Sequence, residues 1–177
     1  MAKLYTKNGD NGETFLLFGK KVSKLDARVQ CYGAIDECIS NLGAAYSLSV
    51  EKDDKDISDL ILKIQRTLFI ISSEIACPTE KYNDLKEKYK YINEEVITDL
   101  EKKIDKYQSI TPKINYFVLP GGSLISSFID IARTSCRRSE RLCVEVRDLN
   151  QLNNKNILIY LNRLSDLLFI LARYIDR

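Results

Sequence analysis

The sequence predicts an all-α fold, an antiparallel bundle of five helices behind a non-helical N-terminal arm. Three observations carry that expectation. Apolar residues recur at three- and four-residue spacing over long stretches. Glycine and proline are scarce, seven and three among 177 residues, so long helices meet few breakers. Three of those glycines, Gly9, Gly12 and Gly19, fall in residues 1–24, where no helical period exists. At 45% apolar and 29% charged residues, the chain suits one domain with a buried core: an arm over 1–24 and a bundle over 25–177.

The elements follow in order. The arm reads as an extended loop with short strands or turns. Asp26 is placed to cap a first helix over roughly 27–49, with Val29, Tyr32, Gly33, Leu42 and Ala45 expected inward. EKDDKD at 51–56 is a charged turn. A second helix over roughly 57–77 carries Ile57, Leu60, Ile61, Ile64, Leu68, Ile71 and Ile75 on one stripe, and Pro78 ends it. Residues 79–92, rich in lysine and tyrosine, form a surface connection with room for a short helical piece. Asn93 caps a third helix, with Glu94 and Glu95 in its first turn favoured by the helix dipole, ending near Tyr107 ahead of Pro112. FVLPGGS at 117–123 makes a sharp entry into a fourth helix over roughly 122–149. After the turn NQLNNKN, a fifth over roughly 154–175 aligns Leu161, Leu164, Leu167, Leu168, Leu171 and Ile175.

Composition excludes several function classes. A net charge of +2, from 27 basic and 25 acidic residues, provides no broad basic field for nucleic acid. The chain has no histidine, which removes Ser-His and Cys-His catalysis and histidine metal sites. Its five cysteines, Cys31, Cys38, Cys77, Cys136 and Cys143, contain no C-x-x-C pair and are expected to be reduced core thiols. MAKLYTKNGD resembles neither a signal peptide nor a transit peptide, and no apolar run approaches the roughly 18 residues of a membrane span. A cytoplasmic protein without membrane attachment is expected.

The most informative stretch is IARTSCRRSERLCVE at 131–145, with four arginines and a glutamate within nine residues of a helix expected to be largely buried. At about 100° per residue, Arg133, Arg137 and Arg141 fall within about 80° of one another, Glu140 lies beside Arg133, and Arg138 swings away. Glu140 neutralises at most one of the three. Two readings are open: a salt-bridge network between helices or subunits, with Asp36 an available partner, or a site for a multiply charged anion such as a triphosphate. TKNGDNGET at 6–14 likewise has two readings. It is an ordinary glycine turn, or a compact loop whose backbone N–H groups face phosphate, with Lys7, Thr6 and Thr14 adding donors. On the last helix Asn162, Asp166, Phe169 and Arg173 fall within roughly 60° opposite the leucine stripe, as a solvated face or a ligand face.

Six segments in this order, TKNGDNGET, VSK at 22–24, YGAIDE at 32–37, FVLPGGS, ARTSCRRSER at 132–141 and LNRLSDLLFILAR at 161–173, resemble the PduO type of ATP:cob(I)alamin adenosyltransferase. The resemblance covers nearly the whole chain. It implies a ferritin-like bundle assembled as a homotrimer, with active sites between subunits. It also implies transfer of the 5′-deoxyadenosyl group of ATP to the cobalt of cob(I)alamin, with release of triphosphate. By the resemblance, Thr6, Lys7, Asn8, Gly9, Thr14, Phe15 and Lys24 bind ATP from the arm. Arg137, Arg138, Glu140, Arg141 and Asn162 bind it from the bundle, with Arg137 and Lys7 in catalytic roles. Phe117 faces the lower side of the corrinoid, and Arg133 pairs with Asp36 across the subunit interface. Asn8, Phe15, Phe18 and Lys20 depart from the usual family residues.

The chemistry is compatible with a histidine-free chain, because cob(I)alamin is itself a strong nucleophile and no catalytic base is needed. Positioning of the 5′ carbon and fixed positive charge at the leaving triphosphate suffice, with Mg²⁺ as the expected companion of ATP and no protein metal ligands. Expected partners are ATP, a reduced corrinoid and either a cobalamin reductase or a B12-dependent client enzyme. Two other classes compete: a non-catalytic trimeric ATP- or corrinoid-binding sensor or chaperone, and a purely structural bundle.

Overall fold

The computed structural model describes Tyr5 and residues 7–177. Six α-helices follow a small hairpin: β1 Glu13–Phe15, β2 Lys21–Ser23, α1 Ala27–Glu51, α2 Lys55–Ile75, α3 Tyr82–Lys88, α4 Glu94–Ile110, α5 Leu124–Asp148 and α6 Asn156–Ile175. The long helices match the expected five. The connection at 79–92 supplies α3 as the sixth.

Local chemistry sets the boundaries. The Asp26 carboxylate accepts from Arg28 N and starts α1, Asp54 accepts from Ile57 N for α2, and Asn93 accepts from Val96 N for α4. Ser123 and Ser126 form a reciprocal cap on α5. Asp26 also grips the side chain of Arg28 at 2.9 and 2.7 Å, and that guanidinium holds the Asp26 carboxyl below its usual range.

α1 packs between α2 and α5, α5 against α6, and α6 against α4. The turns fix α1/α2 and α5/α6 as antiparallel. α4 and α6 run in the same direction, since Arg163 meets Glu101 at 3.1 Å while Tyr174 meets Tyr107 edge-on at 5.0 Å. One core runs through all five long helices. The whole α2 stripe is buried, and the α6 leucines with it, Ile175 only partly. On α1 the inward positions are Cys31, Ile35, Cys38, Ile39, Leu42 and Ala45. Gly33, expected inward, is exposed, because the α1 seam with α5 is filled by thiols at positions 31 and 38 instead. All five cysteines are buried and free.

The arm docks on the end of α2. β1 and β2 pair antiparallel with Thr14 opposite Val22. Leu16 is buried, Leu17 N donates to Ala76 O at 3.0 Å, and Lys20 pairs with Glu80 at 2.9 Å.

Candidate functional site

The arginine helix is amphipathic rather than enclosed. Arg137, Arg138 and Arg141 are exposed and Arg133 is half-buried, so the expectation of a largely buried helix is corrected. Apolar and small residues of α5 (Ile129, Ala132, Cys136, Ser139, Cys143) face the core, and the arginines occupy the opposite arc. Local pairing also differs from the expectation. Arg138 is taken by Glu37 of α1. Arg141 Nη1 donates to the Arg137 carbonyl at 3.1 Å. Glu140 pairs with no arginine; it accepts from Asn162 Nδ2 at 3.0 Å, and Asn162 Oδ1 accepts from Arg163 at 2.9 Å. Glu140 and Asn162, predicted from separate segments, are thus brought together across the α5–α6 seam.

Arg133 and Arg137 line a cleft of about 570 Å³. Its other walls come from Ser165, Asp166, Phe169 and Ile170 of α6, Ile104 and Gln108 of α4, and the segment 111–115. Cations, amide groups and an aromatic ring on one wall suit a large ligand with both apolar and anionic parts. Sequence reading identified Arg133, Arg137, Asp166 and Phe169; it did not anticipate Gln108 or Asn115, which lie on a helix and a loop without a motif. Arg173, read as a candidate solvated residue, is only 6% exposed and is ion-paired with Asp130 of α5. Arg133 joins the same carboxylate, its Nε donating to Asp130 Oδ1 at 3.1 Å. Asp36 lies exposed on α1.

Beyond the cleft segment stands Phe117, fully exposed, with Tyr116, Leu119 and Leu124 also exposed beside it. A core-anchor role for Phe117 is excluded by that exposure. Gly121 closes the turn with φ of 120°, a backbone that side-chain-bearing residues avoid.

In the arm, Lys7 adopts φ of 63° at the start of a turn in which Asp10 N meets Lys7 O at 3.3 Å and Gly12 N meets Gly9 O at 3.2 Å. Lys24 N donates to Gly12 O at 2.9 Å, and a Cβ on Gly9 would lie 3.2 Å from Lys24 Nζ. Lys7, Asn8 and Gly9 share one loop, Lys24 packs against it from the far end of β2, and Thr14 and Phe15 lie on the adjoining strand. Thr6 lies outside the described residues. The arm's ties run to Ala76 and Glu80 past the end of α2 and, through the Lys24 carbonyl, to Gln30 of α1.

The model of one known family matches nearly the whole chain. Its description is cobalamin adenosyltransferase, and its model matches residues 4–175. The chain belongs to the cobalamin adenosyltransferase family. Corrinoid adenosyltransferase of Bacillus subtilis (strain 168) is 40% identical over 175 residues, spanning 98% of this chain and 86% of that protein. The Citrobacter freundii corrinoid adenosyltransferase is 36% identical over 173 residues, spanning 98% of this chain and 94% of that protein. The PduO-type ATP:corrinoid adenosyltransferase from Lactobacillus reuteri, solved as a phenylalanine-to-alanine variant complexed with cobalamin and ATP, is 37% identical. It has a TM-score of 0.88, covering 98% of this chain and 93% of that one. The expected family and helical-bundle fold are thereby borne out. Among the described residues no helix is long and apolar enough to cross a membrane.

Proposed function

We infer that this chain adenosylates a corrinoid: the cobalt of cob(I)alamin attacks the 5′ carbon of ATP, forming a Co–C bond. The C5′–O bond breaks, its electron pair leaves with the triphosphate, and adenosylcobalamin results. The observation that carries this is family membership over nearly the full length, joined to a cation-lined cleft next to an exposed aromatic turn. An ATP:corrinoid transferase needs both features.

The residues divide the work. Arg137 and Lys7 neutralise charge growing on the leaving triphosphate, which needs fixed donors in place before reaction. Arg138, Arg141, Glu140 and Asn162 hold the nucleotide from the bundle. Thr6, Asn8, Gly9, Thr14, Phe15 and Lys24 hold it from the arm. Phe117 covers the lower face of the corrinoid and keeps water or a base from the axial position, easing reduction to Co(I). Among the described residues no three His, Cys, Asp or Glu side chains converge as a metal cage. Mg²⁺ would accompany the phosphate oxygens of ATP, as this ion commonly does.

The assembly that goes with this reading is the homotrimer implied by the sequence resemblance, with sites between neighbours and the arm of one subunit completing the α5 face of the next. In that assembly the free nitrogens of Arg133 meet Asp36 of the partner subunit. A cytoplasmic protein forming one domain, supplied by a cobalamin reductase or serving a B12-dependent client, accords with this activity. Incubation with ATP, Mg²⁺ and chemically reduced cobalamin tests it. Conversion of the cob(I)alamin visible spectrum to that of adenosylcobalamin is expected; an unchanged spectrum with ATP bound would leave a sensor or chaperone.

A further inference from the structure

The molecule holds a cluster of four charges whose inner pair, Asp130 and Arg173, is buried and has no part in the reaction scheme above. Asp130, 4% exposed, sits one helical turn before Arg133 on α5. Its two oxygens are divided: Oδ1 accepts from Arg133 Nε at 3.1 Å, and Oδ2 is ion-paired with Arg173 of α6. Arg173 in turn lies 3.6 Å from Asp176 and 5.8 Å from the Phe169 ring, which lines the cleft. At the far end the Asp176 carboxylate occupies the space of a missing side chain. A Cβ on Gly122 would stand 2.6 Å from either carboxylate oxygen. The line Asp176–Arg173–Asp130–Arg133 therefore runs from the FVLPGG turn that presents Phe117 to the cationic wall of the cleft.

Stability does not explain this cluster. Desolvating the Arg173 guanidinium and the Asp130 carboxylate offsets much of their attraction, and apolar side chains of equal volume commonly fold as well. Arg173 Nε also stays buried without a partner among the described residues. What the arrangement does supply is direction. With Nε bound to a buried, immobile carboxylate, the guanidinium plane of Arg133 is fixed and only its terminal nitrogens face outward.

On the function proposed above, we propose that Asp130 and Arg173 are positioning residues for adenosyl transfer. Asp130 aims Arg133, Arg173 holds Asp130 and Asp176 in register, and Asp176 seats the turn bearing Phe117. The interface cation Arg133 and the corrinoid-side aromatic Phe117 are thus set by one charge cluster.

The test begins with wild-type adenosylation, since an inactive wild type removes both this inference and the function it rests on. With an active wild type, Asp130→Asn, Arg133→Gln and the double variant are compared for kcat/KM. D130N is expected to lose roughly tenfold or more, and the double variant to be no worse than R133Q alone, because Asp130 acts through Arg133. Multiplicative losses would overturn the assignment while leaving the enzyme reading intact. If D130N does not fold, the outer end carries the test. Gly122→Ala and Asp176→Ala are each expected to raise KM for cob(I)alamin roughly fivefold with KM for ATP unchanged, and the double variant to be no worse than either alone, because both act by unseating the same turn. An unchanged corrinoid KM in either single variant, or multiplicative losses in the double, would overturn it.

Discussion

Arg137 and Phe117 are the two residues on which the proposed chemistry most depends, and both are exposed. Neither is held by the fold, so their substitutions separate function from stability. Arg137→Ala is expected to reduce adenosyl transfer roughly a hundredfold, about 3 kcal/mol of transition-state stabilisation, with thermal unfolding unchanged. Near-normal turnover at saturating ATP would remove Arg137 from the mechanism. Phe117→Ala should leave stability within about 0.5 kcal/mol of wild type, as surface changes do. Turnover starting from Co(II) should nevertheless fall, with ATP affinity kept; full activity from Co(II) would remove the shielding role. These proposed roles come from residue type and segment order in the sequence. The fate of Arg173 was not legible there. Its partner Asp130 lies 43 residues away on another helix, and no local spacing joins them.

Among the elements, the connection from α2 to α4 shows what periodicity leaves out. Glu74 sits on the inward side of α2 at 2% exposure. It accepts from Tyr82 Oη at 2.7 Å, Ile92 N at 2.7 Å and Asn154 Nδ2 at 2.8 Å. One carboxylate thereby fastens α3, the entry to α4 and the turn before α6. Glu74→Ala strands these three donors and is expected to cost about 3 kcal/mol in urea unfolding. Burial, the largest influence, raises the Glu74 pKa above its ordinary 4.5. The folded chain then keeps a proton that the unfolded chain releases, so this group's contribution to stability falls as pH rises from about 4.5 through the raised value. Stability measured across that window should decline with pH in wild type relative to Glu74→Gln; parallel curves would refute the assignment. The caps at Asp26 and Asn93 were readable because capping acts within three residues. Glu74 was not, since a lone acid on an apolar stripe gives no hint of partners 8, 18 and 80 residues away.

For the whole molecule, the five long helices and their core could be read from one sequence, because burial of a stripe repeats every turn. The expected up–down alternation holds as well: Lys63 meets Asp99 and Glu74 meets Ile92 across antiparallel α2 and α4, and α4 and α6, with α5 between them in sequence, run alike. Assembly is invisible in a leucine pattern. The proposed trimer gives Asp36 and Arg133 a shared role, and a double-mutant cycle on subunit association checks it. Asp36→Asn and Arg133→Gln should each weaken association, and together by less than the sum of the two. Additive effects would rule out the pairing.

The α1–α5 seam also bears on how the protein can be studied. Cys31 lies against Cys143 and Cys38 against Cys136, and these contacts together with burial push Cys31 and Cys136 far above the ordinary thiol range, while burial takes Cys77 to about 11. None of the five is a ready nucleophile toward alkylating dyes. A cysteine introduced at exposed Leu119, beside Phe117, would become the sole fast-reacting thiol, and a fluorophore there would report movement of the aromatic turn with every native cysteine left in place.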